Sequence, residues 1–191
     1  WWNARDTYAW FHQTFSRHSW DNNEAELQYY IHAGLGGNAN WTGADCGIIQ
    51  FDTGWVAYDI STHEFTHAVT EDTSGLMYQN ESGALNESFS DIMAAAAGGG
   101  DWVMGDTCCP GFERSLSNPG RDMYSKLKGI TGNPTEGNDY GGVHSNSGIT
   151  NKAAYLIAAG GFHNAWTVSG IGVGKMSHVF YSAMTQLGSG A

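Results

Sequence analysis

The stretch Asp59-Ile60-Ser61-Thr62-His63-Glu64-Phe65-Thr66-His67-Ala68-Val69-Thr70 decides how the rest of the chain is read. Ile60, Phe65, Ala68 and Val69 recur at helical spacing, and the Asp59 carboxylate suits a helix N-terminus. Gly75, after Ser74, is a C-terminal stop. In such a helix His63 and His67 lie one turn apart and about 40° round the axis. Two imidazoles on one face can hold a single zinc ion, with Glu64 beside them placed to act on a water rather than on the metal.

A third ligand is needed. A second helical pattern follows Gly83 through Leu85, Phe89, Ile92, Met93 and the alanines 94–97, and ends at Gly98-Gly99-Gly100. Glu87 and Asp91 are four apart on it and share a face. Glu87 is the candidate ligand, and Asp91 suits the free N–H of a ligand histidine. Two histidines at this spacing also arise on an ordinary exposed helix face. Glu87, twenty positions after His67 on a separate helix, argues against that reading.

Composition narrows the function classes. The 191 residues suffice for one domain with a real core. Eight Lys+Arg against 19 Asp+Glu give a net charge of −11, which argues against nucleic acid or an anionic membrane as partner. No apolar run approaches the ~18 residues of a membrane span. No charged-then-apolar leader precedes Trp1, so a signal or pro-segment is expected to be absent or removed. The cysteines are Cys46, Cys108 and Cys109. Because adjacent cysteines bridge only with strain, Cys46 is expected to pair with Cys108 or Cys109.

Elsewhere, Tyr8, Phe11, His12 and Phe15 predict an amphipathic helix over 4–20. Leu27 to His32 reads as a strand, Gly34 to Gly37 as a turn, and Asn38 to Trp41 as an extended segment with Gly47 to Phe51 as its hairpin partner. Helices are expected over Ser147–Ala159, broken by Gly160-Gly161, and from Gly172-Val173-Gly174 through Leu187. His163 and His178 are expected to have no catalytic role.

Three motifs carry a resemblance: His63 to Thr70, Gly83 to Asp91, and Gly141-Gly142-Val143-His144-Ser145-Asn146-Ser147-Gly148-Ile149 followed by Asn151 to Ile157. Together they resemble the thermolysin family of zinc neutral endopeptidases over nearly the whole chain. The resemblance implies an α+β, mainly helical zincin core with a short β portion before the site helix. One catalytic domain, 1–191, would divide into 1–58 and 59–191. It implies His63, His67 and Glu87 as zinc ligands with water as the fourth, and Glu64 as general base. Tyr78 and His144 would stabilise the oxyanion, Asp139 would orient His144, and Asp91 and Asn86 would hold the ligand histidines. Asn38 and Ala39 would bind substrate main chain, and Arg114 the carbonyl after the scissile bond. Asp59 matches a calcium ligand.

The sequence also departs from the family pattern. A β-rich lobe before Trp1 and helices after Ala191 are missing, so a partner chain supplying them is one expectation. The Asp91–Arg114 segment is about ten residues short. Gly98 stands where a calcium carboxylate is usual, which leans against the double-calcium site, although Asp101 and Asp106 offer oxygens. Glu113 replaces an apolar residue before Arg114, while Phe51 and Ile60 remain apolar pocket walls. The reading is a secreted, zinc-dependent endopeptidase acting on proteins or peptides. The rival is a catalytically silent metal-binding remnant.

Overall fold

The computed structural model describes residues 2–109, 111–129 and 133–190. In chain order the elements are α1 (Trp2–Phe15), β1 (Gln28–Ile31), β2 (Ala39–Trp41), β3 (Ile48–Phe51), α2 (Tyr58–Asp72), α3 (Asn80–Ala97), β4 (Val103–Met104) and β5 (Arg114–Ser115). Then come two short 3-10 turns, α4 (Asp139–Ala159), β6 (Gly161–His163), β7 (Trp166–Val168) and α5 (Val173–Met184). The fold is mainly helical α+β, with the sheet ahead of the site helix.

Helix α3 is buried on nearly every side from Ser82 to Ala96, as expected of a helix at the centre of a bundle. Phe89, Ile92 and Met93 meet Met176, Phe180 and Met184 of α5 in one core, with the Phe89 and Phe180 rings 6.4 Å apart. Helix α1 closes the other side of α2: Phe11 lies 4.8 Å from Phe65, and Thr7 sits against Ser61 and Thr62 at 3.2 and 3.1 Å. Such buried hydroxyls are tolerated because each finds a partner.

The hairpin expected between 38–41 and 47–51 forms as antiparallel β2 and β3. The strand read at 27–32 joins it in a way that periodicity does not reveal, pairing parallel to β3 and giving the order β1-β3-β2. Asp52 N donates to Asn38 O and Thr42 N to Ile48 O. By the alternation of an antiparallel ladder, Ala39 and Trp41 therefore turn their main-chain groups to the open edge.

Three expectations change. Helix α1 ends at Phe15 rather than near residue 20, because Ser16 and Ser19 adopt positive φ (56° and 61°). Gly160-Gly161 does end α4, but an unforeseen hairpin, β6–β7, follows with Asn164 and Ala165 at its left-handed turn. Helix α4 is assigned from Asp139, yet Tyr140, Gly141 and Gly142 have φ of 45°, 102° and 79°, so regular helix begins at Val143, just before His144.

The cysteine pairing is also corrected: Cys108 and Cys109 are bonded to each other, and Cys46 is free and exposed. Cys109 is 2% exposed in the core, whereas Cys46 lies on the turn between β2 and β3 with its amide on Gly43 O. An exposed turn thiol does not meet a buried one. Among the described residues, no helix is long and apolar enough to cross a membrane.

Candidate metal centre and active site

Two buried helices build the centre. On α2, the four-residue spacing brings His63 Nε2 and His67 Nε2 to 3.0 Å from each other. On α3, Glu87 comes up beneath them, with Oε2 3.5 Å from His63 Nε2 and Oε1 3.3 Å from His67 Nε2. Donors about 2.05 Å from a tetrahedral ion are about 3.3 Å from one another; each Glu87 oxygen stands about that far from one imidazole nitrogen, and one donor atom from each of the three residues lies within 4.8 Å of the others. Glu87 is 1% exposed, and its Oε2 has no hydrogen-bond partner. That oxygen lies 3.5 Å from His63 Nε2 and 3.6 Å from the Arg114 guanidinium, beyond hydrogen-bond reach, and a buried carboxylate oxygen left without a bond is satisfied by a metal ion. The residues therefore fit zinc, and among the described residues this is the single three-ligand cluster.

The two histidines are oriented from behind. His67 Nδ1 donates to Asn86 Oδ1 at 2.7 Å, and His63 Nδ1 lies 3.0 Å from Asp91 Oδ1. Both contacts favour the Nδ1–H tautomer and leave Nε2 for the metal. Asp91, 0% exposed, also accepts Arg114 at 2.6 Å and Asn151 Nδ2 at 2.7 Å. Asn151 in turn accepts Ser88 Oγ at 2.7 Å. Asn151 lies in a motif that the sequence singled out without giving it a role.

The charges follow from this enclosure. Burial pushes the Glu87 carboxyl up, but His144, His67 and His63 outweigh it and hold the group well below the usual carboxylate range. Burial likewise opposes ionisation of Asp91, but Arg114 and His63 bring it down to about 2. His67 is lowered by burial and raised more strongly by Glu87, to about 9. The protein has thus gathered negative charge where a cation belongs.

The remaining residues line one cavity of about 950 Å³. Glu64 faces it from α2, and its Oε2 accepts the Trp41 amide at 2.9 Å. That contact escaped the sequence reading because its donor is a main-chain group. Tyr78 donates to Glu87 Oε1 and stands 3.4 Å from His144 Nε2. Burial, then Glu87, pushes the phenol well above its ordinary range. His144 Nδ1 lies 2.6 Å from Asp139 Oδ1. Burial lowers the imidazole, but Glu87 and Asp139 raise it overall. Gly141 lets the chain turn here: a Cβ would fall 2.4 Å from Asn80 Oδ1 at the start of α3.

Asn38 and Ala39 line the cavity along the open edge of β2. Arg114 reaches the same wall, though its guanidinium is already engaged by Asp91, and Glu87 lies 3.6 Å away. Glu113 points away, exposed and accepting the Gly111 amide at 3.2 Å. Phe112, Trp55, Ile60 and Met104 line that side instead, with Trp55 and Phe112 4.8 Å apart. Phe51, expected as a wall, is wholly buried behind it. Asp59 is outside this cavity, and its two oxygens accept the amides of Ile60 at 2.9 Å and Gly105 at 2.7 Å.

A two-histidine, one-glutamate centre on adjoining helices, with a free glutamate beside it, defines a metallopeptidase type of site. Comparison with known proteins makes this specific. The thermolysin metallopeptidase catalytic-domain model matches residues 1–71, and the alpha-helical-domain model matches residues 74–190. The chain belongs to the thermolysin metallopeptidase family. It is 44% identical over 198 residues to neutral protease B of Bacillus subtilis (strain 168) and 42% over 200 residues to bacillolysin of Brevibacillus brevis. Each match covers 96% of this chain but only 36% of the relative's length. The precursor of protealysin, a metalloproteinase from Serratia proteamaculans, superposes with a TM-score of 0.80 at 29% identity, covering 99% of this chain and 66% of that one.

Proposed function

We propose that the chain is a zinc-dependent endopeptidase that hydrolyses internal bonds of proteins or peptides, acting as one catalytic domain over 1–191. The observation that carries this reading is the convergence of His63, His67 and Glu87, one donor atom from each within 4.8 Å of the others, with Glu64 in the same cavity. Zinc, when bound, supplies Lewis-acid polarisation of the attacking water and of the scissile carbonyl. Glu64 accepts the proton of that water and passes it to the leaving amine. The Trp41 amide holds Oε2 and leaves Oε1 for the water.

Tyr78 Oη and His144 Nε2 donate to the oxyanion as charge develops there. The phenol is held well above its ordinary range and the imidazole is raised above its own, and Asp139 fixes the His144 ring. The open edge of β2, at Ala39 with Asn38 beside it, takes the substrate main chain as an added strand. The N–H groups of Arg114 not used by Asp91 take the carbonyl after the scissile bond. Secretion accompanies the reading, as the resemblance implies. Calcium at Asp59 stays part of the reading as the resemblance implies it: each Asp59 oxygen accepts one backbone amide and keeps a further lone pair for a cation.

Turnover of an internally quenched peptide, with zinc measured on the same sample, tests this. Glu64→Gln is expected to keep about one zinc per chain and lose roughly 10²–10⁴-fold in kcat. Stoichiometric zinc in the unaltered chain without turnover would favour the silent metal-binding reading.

A further inference from the structure

Two histidines pack edge to face, with a glutamate beside one of them, at the far end of α1. His12 stands in the last turn of that helix, and His18 and Glu24 lie on the loop that follows. The two imidazole rings have centroids 4.7 Å apart and planes at 84°. Glu24 Oε1 lies 2.7 Å from His18 Nδ1. A carboxylate there holds the Nδ1–H tautomer and leaves the Nε2 lone pair for a cation, the service that Asn86 performs for His67.

The surroundings favour an ion. The Tyr8 hydroxyl donates to Glu24 at 3.2 Å, and the His18 amide donates to Asn22 Oδ1 at 2.9 Å. Ser16, Ser19, Asn22 and Glu24 all have φ between 56° and 61°, a costly run for non-glycine residues. The loop is thus folded back so that His18 meets His12. Among the described residues, the His12 ring has no hydrogen-bond partner. The neighbouring cation, Arg17, is turned inward onto Asp72 at 2.7 Å and Tyr181 at 3.2 Å.

We propose that His12 and His18 form a second divalent-cation site for a borderline ion such as zinc or nickel, with Glu24 orienting His18 and water completing the shell. Both rings are exposed, so the site is weaker than the buried centre. An ion there ties the loop to α1. That loop carries Trp20, whose ring lies 5.4 Å from that of Trp41, the residue whose amide holds Glu64. The role is structural, and His12 and His18 are not catalytic.

The test is calorimetric titration of nickel into the zinc-loaded protein, with His12→Asn, His18→Asn and His32→Asn alongside. Circular dichroism and peptide turnover confirm that each variant is folded. One nickel per chain is expected. His12→Asn and His18→Asn should each weaken it at least tenfold, and the exposed control His32→Asn should not. At a hundredfold excess over Kd the thermal midpoint should rise roughly 5–10 °C in the unaltered protein and not in the two loop variants. No nickel binding, or binding that survives either loop substitution undiminished, overturns the proposal.

Discussion

Replacing Gly83 with alanine sets two effects of known size against each other. Gly83 lies in α3 with ordinary helical backbone, so helix propensity alone would make alanine better by up to about 1 kcal/mol. The added Cβ, however, would fall 2.5 Å from Val143 Cγ1 and 2.9 Å from the Tyr78 carbonyl carbon. Val143 is 0% exposed and β-branched, with little rotamer freedom in which to retreat. Tyr78 is held by its neighbours, since Gln79 N donates to Met77 O and Gly83 N to Gln79 O. Overpacking of this kind costs about 1–3 kcal/mol, so the clash wins. The expected net loss is about 1–2 kcal/mol, or a midpoint roughly 2–8 °C lower. The two neighbours that must yield carry Tyr78 and the turn before His144, so kcat should fall about tenfold or more.

Urea unfolding and peptide turnover of Gly83→Ala measure both, and Gly174→Ala, which meets nothing within 4 Å, is the control. A Gly83→Ala protein as stable as the parent, with an unchanged m-value, would refute the packing argument.

Three further outcomes follow from the same contacts. Asn86→Ala removes the acceptor that orients His67 and should weaken zinc roughly 10–100-fold, read by competition with a chromogenic chelator. Burial pushes the half-buried Tyr29 phenol up to about 12, with Ser61 pulling it partly back. The folded value lies above the ordinary one of about 10, so this stabilisation is complete below pH ~10. It is lost as pH rises towards ~12, by up to about 3 kcal/mol; Tyr29→Phe should flatten that alkaline slope in denaturant titrations. Finally, a thiol reagent should label one cysteine per native chain, Cys46, and Cys46→Ser should reduce this to none. Labelling of Cys108 or Cys109 without prior reduction would contradict the observed pairing.

The parts legible in the sequence are those fixed by local periodicity. The spacing of His63 and His67, and that of Glu87 and Asp91, sets shared helix faces wherever a helix forms, and the apolar repeats of α2, α3 and α5 say that helices form. The hairpin of β2 and β3 is local in the same sense. What the sequence left open depends on segments far apart in the chain. Parallel pairing of β1 with β3, the Trp41 amide on Glu64, and Arg114 bound to Asp91 follow from the packing of whole elements, which no short window encodes. The cysteine expectation failed because it weighed local strain without knowing that Cys109 is buried while Cys46 lies on an exposed turn. Sequence thus determined the residue types of the centre and their spacing along each helix. Only the tertiary structure brought α2 and α3 together so that donors from His63, His67 and Glu87 converge within 4.8 Å of one another, because that distance is set by the core packed between and around the helices.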